Sequence, residues 1–199
     1  MTDLVMNFLI FLITLLILIM FFRKGGHWDS DRVRKTFRFY TCQSNVLCAV
    51  SALAMVIAQL SGNVPRWVWT LKYIGTAGIT VTMLTVFLFL APSVGKDWYE
   101  VLLKGANNLF MHLLTPLMAI VSFCLFEKRG MSFLCSLWGL LPVIMYGQHY
   151  LYRIIFAPEG KRWDDFYGFN KQGKWPMAFG MMLVGTFAVC MLFLAAQNA

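Results

Sequence analysis

The chain has 199 residues, of which 59% are hydrophobic and only 13% charged, and its mean hydropathy is +0.67. This composition excludes a soluble domain and predicts a single polytopic membrane domain over residues 1–199. Backbone groups inside lipid must be paired within the chain, so we expect an all-α protein. The net charge of +8 comes from basic residues in short loops, so we expect no nucleic-acid partner.

Six predominantly apolar stretches are close to the roughly 20 residues that a helix needs to cross a hydrocarbon core. In chain order they are about Leu4–Phe22, Thr36–Leu60, Trp69–Ala91, Ala106–Phe126, Met131–Phe156 and Trp175–Ala196. The first lacks a basic start and a cleavage site, so we interpret it as a permanent helix. The sequence therefore predicts six transmembrane helices.

Basic residues are unevenly distributed between the predicted loops. The loops after the first, third and fifth spans contain most of the lysines and arginines, and the terminal tails contain none. The positive-inside rule therefore predicts that these three loops are cytoplasmic, that both termini lie outside, and that the protein resides in the cell membrane.

Polar side chains recur at helical spacing along three of the spans. They are Arg38, Thr41, Ser44, Asn45 and Cys48 on the second, Asn108, His112, Thr115 and Ser122 on the fourth, and Tyr146, His149, Tyr150 and Arg153 on the fifth. Thr41 lies roughly 9 Å along its helix from Lys35, and the other sets lie at a similar depth from the basic loops. Since polar groups are costly inside a membrane, the pattern predicts a polar pocket that opens towards those loops.

A hydroxyl and a histidine are the minimum for acyl transfer from an ester, with Thr41 as the nucleophile and His112 as the base. The developing oxyanion needs hydrogen-bond donors, and Ser44, Asn45 and Asn108 are the candidates on the same faces. A packing role also fits the hydroxyls, because Thr and Ser in membrane helices often bond a carbonyl of their own helix. His112 favours function, since ionisable groups inside membranes are rare.

Other interpretations of these residues remain open. His149, Tyr150 and Arg153 are candidates for binding a substrate carboxylate, although Arg153 also fits a side chain that extends to the membrane surface. Cys42 is a rival nucleophile beside Thr41. His112 and His149 lie on different helices near one side, which also fits the ligation of a b-type haem. No HExxH motif occurs, so we expect no catalytic metal, and the main interpretation needs no cofactor.

Three segments resemble a known family. They are the second-span motif FRFYTCQSNVLC, the fourth-span motif NNLFMHLLTPLMAIV and the loop-five segment RWDDFYGFN. Together they resemble the androgen-induced protein family, which includes the androgen-dependent tissue-factor-pathway-inhibitor-regulating protein and bacterial six-helix homologues. The chain departs from the animal members at Tyr167–Gly168, where they have a Tyr-Pro step, and at Gln43, Ser44 and Asn45.

Animal members of that family hydrolyse fatty-acid esters of hydroxy fatty acids with an essential Thr and His. The resemblance implies that these residues are Thr41 and His112 here. We therefore expect a membrane-embedded threonine-type lipid ester hydrolase whose substrate is a lipid with acyl chains, drawn from the bilayer. A membrane lipid acyltransferase, a haem-binding protein and a transporter are the alternatives, and the oligomeric state is not predicted.

Overall fold

Hydropathy correctly predicts most of the helices. The computed structural model describes residues 1–199, which are mostly helical. Five helical runs are long and apolar enough to cross a membrane: α1 (Thr2–Phe22), α3 (Tyr40–Leu60), α4 (Arg66–Leu102), α5 (Ala106–Phe126) and α7 (Trp175–Asn198), the short α2 (Ser30–Thr36) lying between the first two. These five runs match five of the six predicted spans, whereas the number of crossings and their orientation stay predictions.

The predicted fifth span is helical but less regular. It forms α6, residues 133–156, which consists of Phe133–Ser136, a 3₁₀ turn Leu137–Leu140, an α-helix Leu141–Leu151 and a π turn Tyr152–Phe156. This run carries Gln148, His149 and Arg153 in its second half, and it is not among the five strongly apolar helices.

Irregular turns in three of the helices coincide with prolines. The π turns Val86–Leu90 in α4 and Phe110–Leu114 in α5, and the 3₁₀ turn in α6, come just before Pro92, Pro116 and Pro142 respectively. Proline has no N–H, so it cannot bond the carbonyl four residues earlier, and the helix adjusts around the free carbonyl. A second π turn, Ser122–Phe126, ends α5.

The remaining segments of these runs are short. In α4, the α-helix Arg66–Thr85 and the π turn are followed by Ala91–Val94, a 3₁₀ turn Gly95–Asp97 and Trp98–Leu102. Gly95 has φ +77°, so the backbone leaves the helical conformation there, shortly after the predicted end of the span at Ala91. In α5, Ala106–Leu109 and Thr115–Val121 flank the first π turn.

The basic loop after α1 contains a small hairpin. Strand β1 (Arg23–Lys24) pairs antiparallel with β2 (His27–Trp28) across two glycines with positive φ. The Asp29 carboxylate then accepts the Arg32 N–H at 2.9 Å and caps α2. A 3₁₀ turn, Lys171–Gly173, precedes α7.

Helix α3 lies between α1 and α4, and α4 also packs against α5, α6 and α7. The contact between α3 and α4 is close because Gly75 has no side chain. A Cβ atom at Gly75 would lie 2.5 Å from the Ser51 hydroxyl and 3.0 Å from the Cys48 Cα. The main core cluster is aromatic, with Trp69, Tyr73 and other rings fully buried. These contacts fix α3, and hence Thr41, relative to the other helices.

Replacing Gly75 by Ala tests this contact. We expect Gly75→Ala to lower the free energy of unfolding by about 1 to 3 kcal/mol, because the added methyl group forces α3 and α4 apart. Thermal unfolding of the purified protein in detergent measures the loss. Gly180→Ala on α7 is the control, since a Cβ there meets no atom within 4 Å. Equal melting temperatures for the two variants would contradict the packing described.

Candidate functional site

The helix that carries Thr41 begins later than the sequence pattern suggests. Helix α2 ends at Thr36 and α3 begins at Tyr40, so residues 37–39 form a turn between them. The prediction that Arg38 shares a helix face with Thr41 is therefore wrong. The spacing of polar residues in the sequence extends back into this turn, because Arg38 is itself polar, and it therefore does not mark where α3 begins. The Arg38 carbonyl accepts the Tyr146 hydroxyl at 2.7 Å.

Asn45 connects the two helices of the predicted catalytic pair. Its side-chain Nδ2 donates to the Thr41 carbonyl at 2.8 Å and to the Met111 carbonyl at 3.1 Å. The carbonyl oxygens of Thr41 and Met111 are therefore at most 5.9 Å apart. Asn45 is fully buried, and this bridge holds the first turn of α3 beside the turn that contains His112.

His112 lies in the π turn of α5 with one ring nitrogen engaged. Its Nδ1 is 2.7 Å from the Leu102 carbonyl, which can only accept, so Nδ1 carries the proton and donates. Nε2 makes no hydrogen bond within the protein and is therefore the nitrogen that can accept a proton. Pro116 leaves the His112 carbonyl without its usual helical partner, which explains the local π geometry.

Thr41 is half-buried and lies near the hydroxyl of Tyr167 in the loop between α6 and α7, although no hydrogen bond joins the two hydroxyls. No hydrogen bond joins Thr41 to His112 in this structure. Burial raises the pKa of Tyr167 to about 12, so its hydroxyl stays protonated at neutral pH. Tyr167 was missed as a site residue by sequence reasoning, although the aromatic segment RWDDFYGFN contains it.

The start of α3 also offers one free backbone donor. The Tyr40 N–H donates to the Tyr167 hydroxyl at 3.1 Å, whereas the N–H of Cys42 has no acceptor. Helix N-termini expose such unpaired N–H groups, and the helix dipole makes them favourable for negative charge. The Cys42 N–H lies directly beside the Thr41 hydroxyl because it belongs to the same turn.

The predicted oxyanion donors are engaged elsewhere. Both N–H groups of Asn45 are used in its bridge, and the Asn108 Nδ2 donates to the Val101 and Lys104 carbonyls, each at 3.3 Å. The Ser44 hydroxyl is buried against the Thr82 hydroxyl at 2.6 Å. In this structure these three residues join helices or turns together, and none offers a free N–H or O–H beside Thr41.

Cys42 points away from Thr41. It is only 1% exposed and packs in an apolar cluster with Ile17, Leu18, Phe22 and Met111. A thiol in such surroundings is shielded from a substrate, so the structure does not favour Cys42 as the nucleophile.

Of the three predicted carboxylate-binding residues, His149 and Arg153 pack on the same indole ring, whereas the Tyr150 hydroxyl is already engaged. The Tyr150 hydroxyl donates to the Asp165 carboxylate at 2.9 Å, and Asp165 also accepts the N–H groups of Phe169 and Asn170. His149 is exposed and its ring packs edge-on against Trp163. Arg153 stacks on that same indole, 5.0 Å from the ring centroid. Tyr150 therefore orders the loop and is not free to bind substrate.

A second polar cluster lies at the other end of the bundle. Glu127 is 5% exposed and accepts hydrogen bonds from Asn7 at 2.9 Å and Ser122 at 2.5 Å. Lys72 is fully buried and its Nζ has no hydrogen-bond partner. The sequence analysis did not predict this cluster, because Glu127 directly follows the fourth predicted span and was taken as a loop residue.

Two open clefts also lie away from Thr41 and His112. One, of about 320 Å³, is lined by residues that include Asp3, Gln59 and Arg129. The other, of about 350 Å³, lies beside the irregular end of α4 and includes Phe87 and Trp98. Neither cleft contains a predicted site residue.

Comparisons with models of known families, with curated proteins and with solved structures found no match. The resemblance to the androgen-induced proteins therefore stays a prediction.

The Asn45 bridge can be tested by truncation. We expect Asn45→Ala to lower the free energy of unfolding by about 1 to 3 kcal/mol, because two carbonyls lose a buried donor. Asn108→Ala is the matched control, since its bonds are longer and partly exposed. Thermal unfolding in detergent measures both variants. A loss for Asn108→Ala as large as that for Asn45→Ala would contradict the bridging role.

Proposed function

We propose that the protein is a membrane-embedded lipid ester hydrolase in which Thr41 is the nucleophile and His112 is the base. The observation that carries this proposal is the Asn45 bridge, which holds the turns of these two residues together. The tautomer of His112 supports it, because Nε2 is free while Nδ1 is held by a carbonyl. A histidine fixed in this way is oriented as a general base.

The first half of the reaction forms an acyl-enzyme. The Thr41 Oγ attacks the ester carbonyl carbon while His112 Nε2 takes the hydroxyl proton. Negative charge develops on the carbonyl oxygen, and the free Cys42 N–H at the start of α3 is the proposed donor for it. The intermediate then collapses, the ester C–O bond breaks, and His112 returns its proton to the departing alkoxide.

The second half restores the enzyme. A water molecule loses a proton to His112 Nε2 and attacks the acyl carbonyl of the Thr41 ester. The tetrahedral intermediate expels the Thr41 oxygen, which takes the proton back from His112, and the fatty acid leaves. The Tyr167 hydroxyl lies beside Thr41 and is proposed to position its Oγ throughout.

The substrate class follows from the surroundings of Thr41. Phe37 and Phe39 precede it in the turn and are 38% and 41% exposed, which suits contact with acyl chains. A fatty-acid ester of a hydroxy fatty acid, or a similar acyl ester, is the proposed substrate, entering sideways from the bilayer. The proposal includes six membrane crossings in the cell membrane, with the basic loops cytoplasmic and water arriving from that side.

The variants Thr41→Ala and His112→Ala test the proposal. With the palmitate ester of a hydroxystearic acid in detergent, each variant is expected to lower the hydrolysis rate by at least about 100-fold. Thr41→Ser is expected to retain part of the rate and Cys42→Ala most of it. Thr70→Ala is the control, because that hydroxyl bonds the Arg66 carbonyl and the Cys135 sulfur and touches neither Thr41 nor His112.

Three outcomes would contradict this proposal. Loss of activity in Cys42→Ala alone would make the thiol the nucleophile. Transfer of the acyl group to an added lipid alcohol in preference to water would make the protein an acyltransferase. A folded wild type with no esterase activity would favour transport, or haem binding if its visible spectrum contains a Soret band.

The positioning role of Tyr167 gives a separate prediction. Tyr167→Phe removes the hydroxyl beside Thr41, so we expect kcat to fall about tenfold while KM stays unchanged. Tyr99→Phe is the matched control, since Tyr99 is exposed and its hydroxyl makes no hydrogen bond. Steady-state kinetics with the same ester measure both variants. An unchanged kcat for Tyr167→Phe would remove Tyr167 from the mechanism.

A further inference from the structure

Two arginines lie close to one indole ring at the basic end of the protein. The guanidinium carbons of Arg38 and Arg153 lie 5.7 Å and 5.0 Å from the centroid of Trp163. Arg38 comes from the turn before α3, Arg153 from the last turn of α6, and Trp163 from the following loop. The backbone N–H of Trp163 donates to the Arg153 carbonyl at 3.0 Å, and this bond fixes the loop against α6.

Neither arginine has a counter-charge within the protein. The salt bridges join Met1 to Asp3 and Lys104 to Glu100, and no side-chain hydrogen bond involves Arg38 or Arg153. Of the acids next to Trp163 in sequence, Asp165 is held by three donors and Asp164 is exposed. Two positive charges therefore share one ring without neutralisation.

Two buried donors at this place also lack acceptors. They are Nε of Arg153 and the indole Nε1 of Trp163, both shielded from solvent and without a hydrogen-bond partner. Unpaired buried donors are costly, and each unexplained case points to a missing partner. A single acceptor placed beside the guanidinium and the indole would satisfy both donors.

We propose that Arg38, Arg153 and Trp163 form a binding site for the phosphate of an acidic lipid headgroup. A carboxylate has two oxygens and satisfies one guanidinium fork, whereas a phosphate has enough oxygens for two forks and the indole N–H. The adjacent loop adds the unpaired Lys161, and Trp side chains favour the headgroup region of a membrane. This site does not depend on the chemistry at Thr41.

Binding of phosphatidic acid to the full-length protein in detergent tests the site. Native mass spectrometry is expected to detect tighter binding of phosphatidic acid than of phosphatidylcholine. Arg38→Gln and Arg153→Gln are each expected to weaken phosphatidic acid binding about tenfold, and Arg153→Lys to recover only part of the loss, because Lys lacks the planar fork. Arg34→Gln removes the same charge elsewhere and is expected to bind as wild type does.

Further measurements distinguish the source of the anion and guard against misfolding. Inorganic phosphate is expected to compete only weakly, and competition as strong as that of phosphatidic acid would overturn the lipid assignment. Oleate that binds equally well through the same arginines would overturn the choice of phosphate. Thermal unfolding without lipid identifies folded variants, and Trp163→Phe, which keeps the ring but loses the N–H, is expected to weaken binding. Unchanged affinity in the folded Arg38→Gln/Arg153→Gln double variant would overturn the site.

Discussion

The geometry of the candidate site depends on one buried amide. Where water is absent, both N–H groups of Asn45 need acceptors within the protein, and they find one on α3 and one on α5. The two turns that carry Thr41 and His112 are therefore held together by a group that is itself not free for chemistry. A residue that resembles an oxyanion donor in sequence acts instead as the support for the pair.

Departures from regular helix place the remaining parts. Pro116 produces the π turn around His112, and the ring is then fixed by the Leu102 carbonyl from the end of α4. The late start of α3 leaves the Cys42 N–H free beside Thr41. The loop after α6 then covers this start, because the Tyr167 hydroxyl accepts the Tyr40 N–H. The site is thus assembled from helix ends and irregular turns, and the regular helices only position it.

The sequence predicts the helices better than the contacts between them. Hydropathy gives five runs, four of them with nearly the observed bounds, because apolar composition is a local property, whereas α4 continues past the predicted end at Ala91 to Leu102. The start of α3 at Tyr40 is not visible in the spacing of polar residues, so Arg38 was predicted to lie on the helix, whereas it lies in the turn before it. The partners of Asn45 belong to two helices, and Glu127 is held by Asn7, which lies 120 residues away in the sequence. Such long-range pairings cannot be read from the spacing of residues along a single helix.

The most direct test of the account is to locate a covalent adduct. The protein would be treated in detergent with a fluorophosphonate probe, digested, and analysed by peptide mass spectrometry. The account predicts a single adduct on the hydroxyl of Thr41 that disappears in His112→Ala, because the free Nε2 of His112 activates that oxygen. An adduct on Cys42, or a folded wild type that carries no adduct, would contradict it.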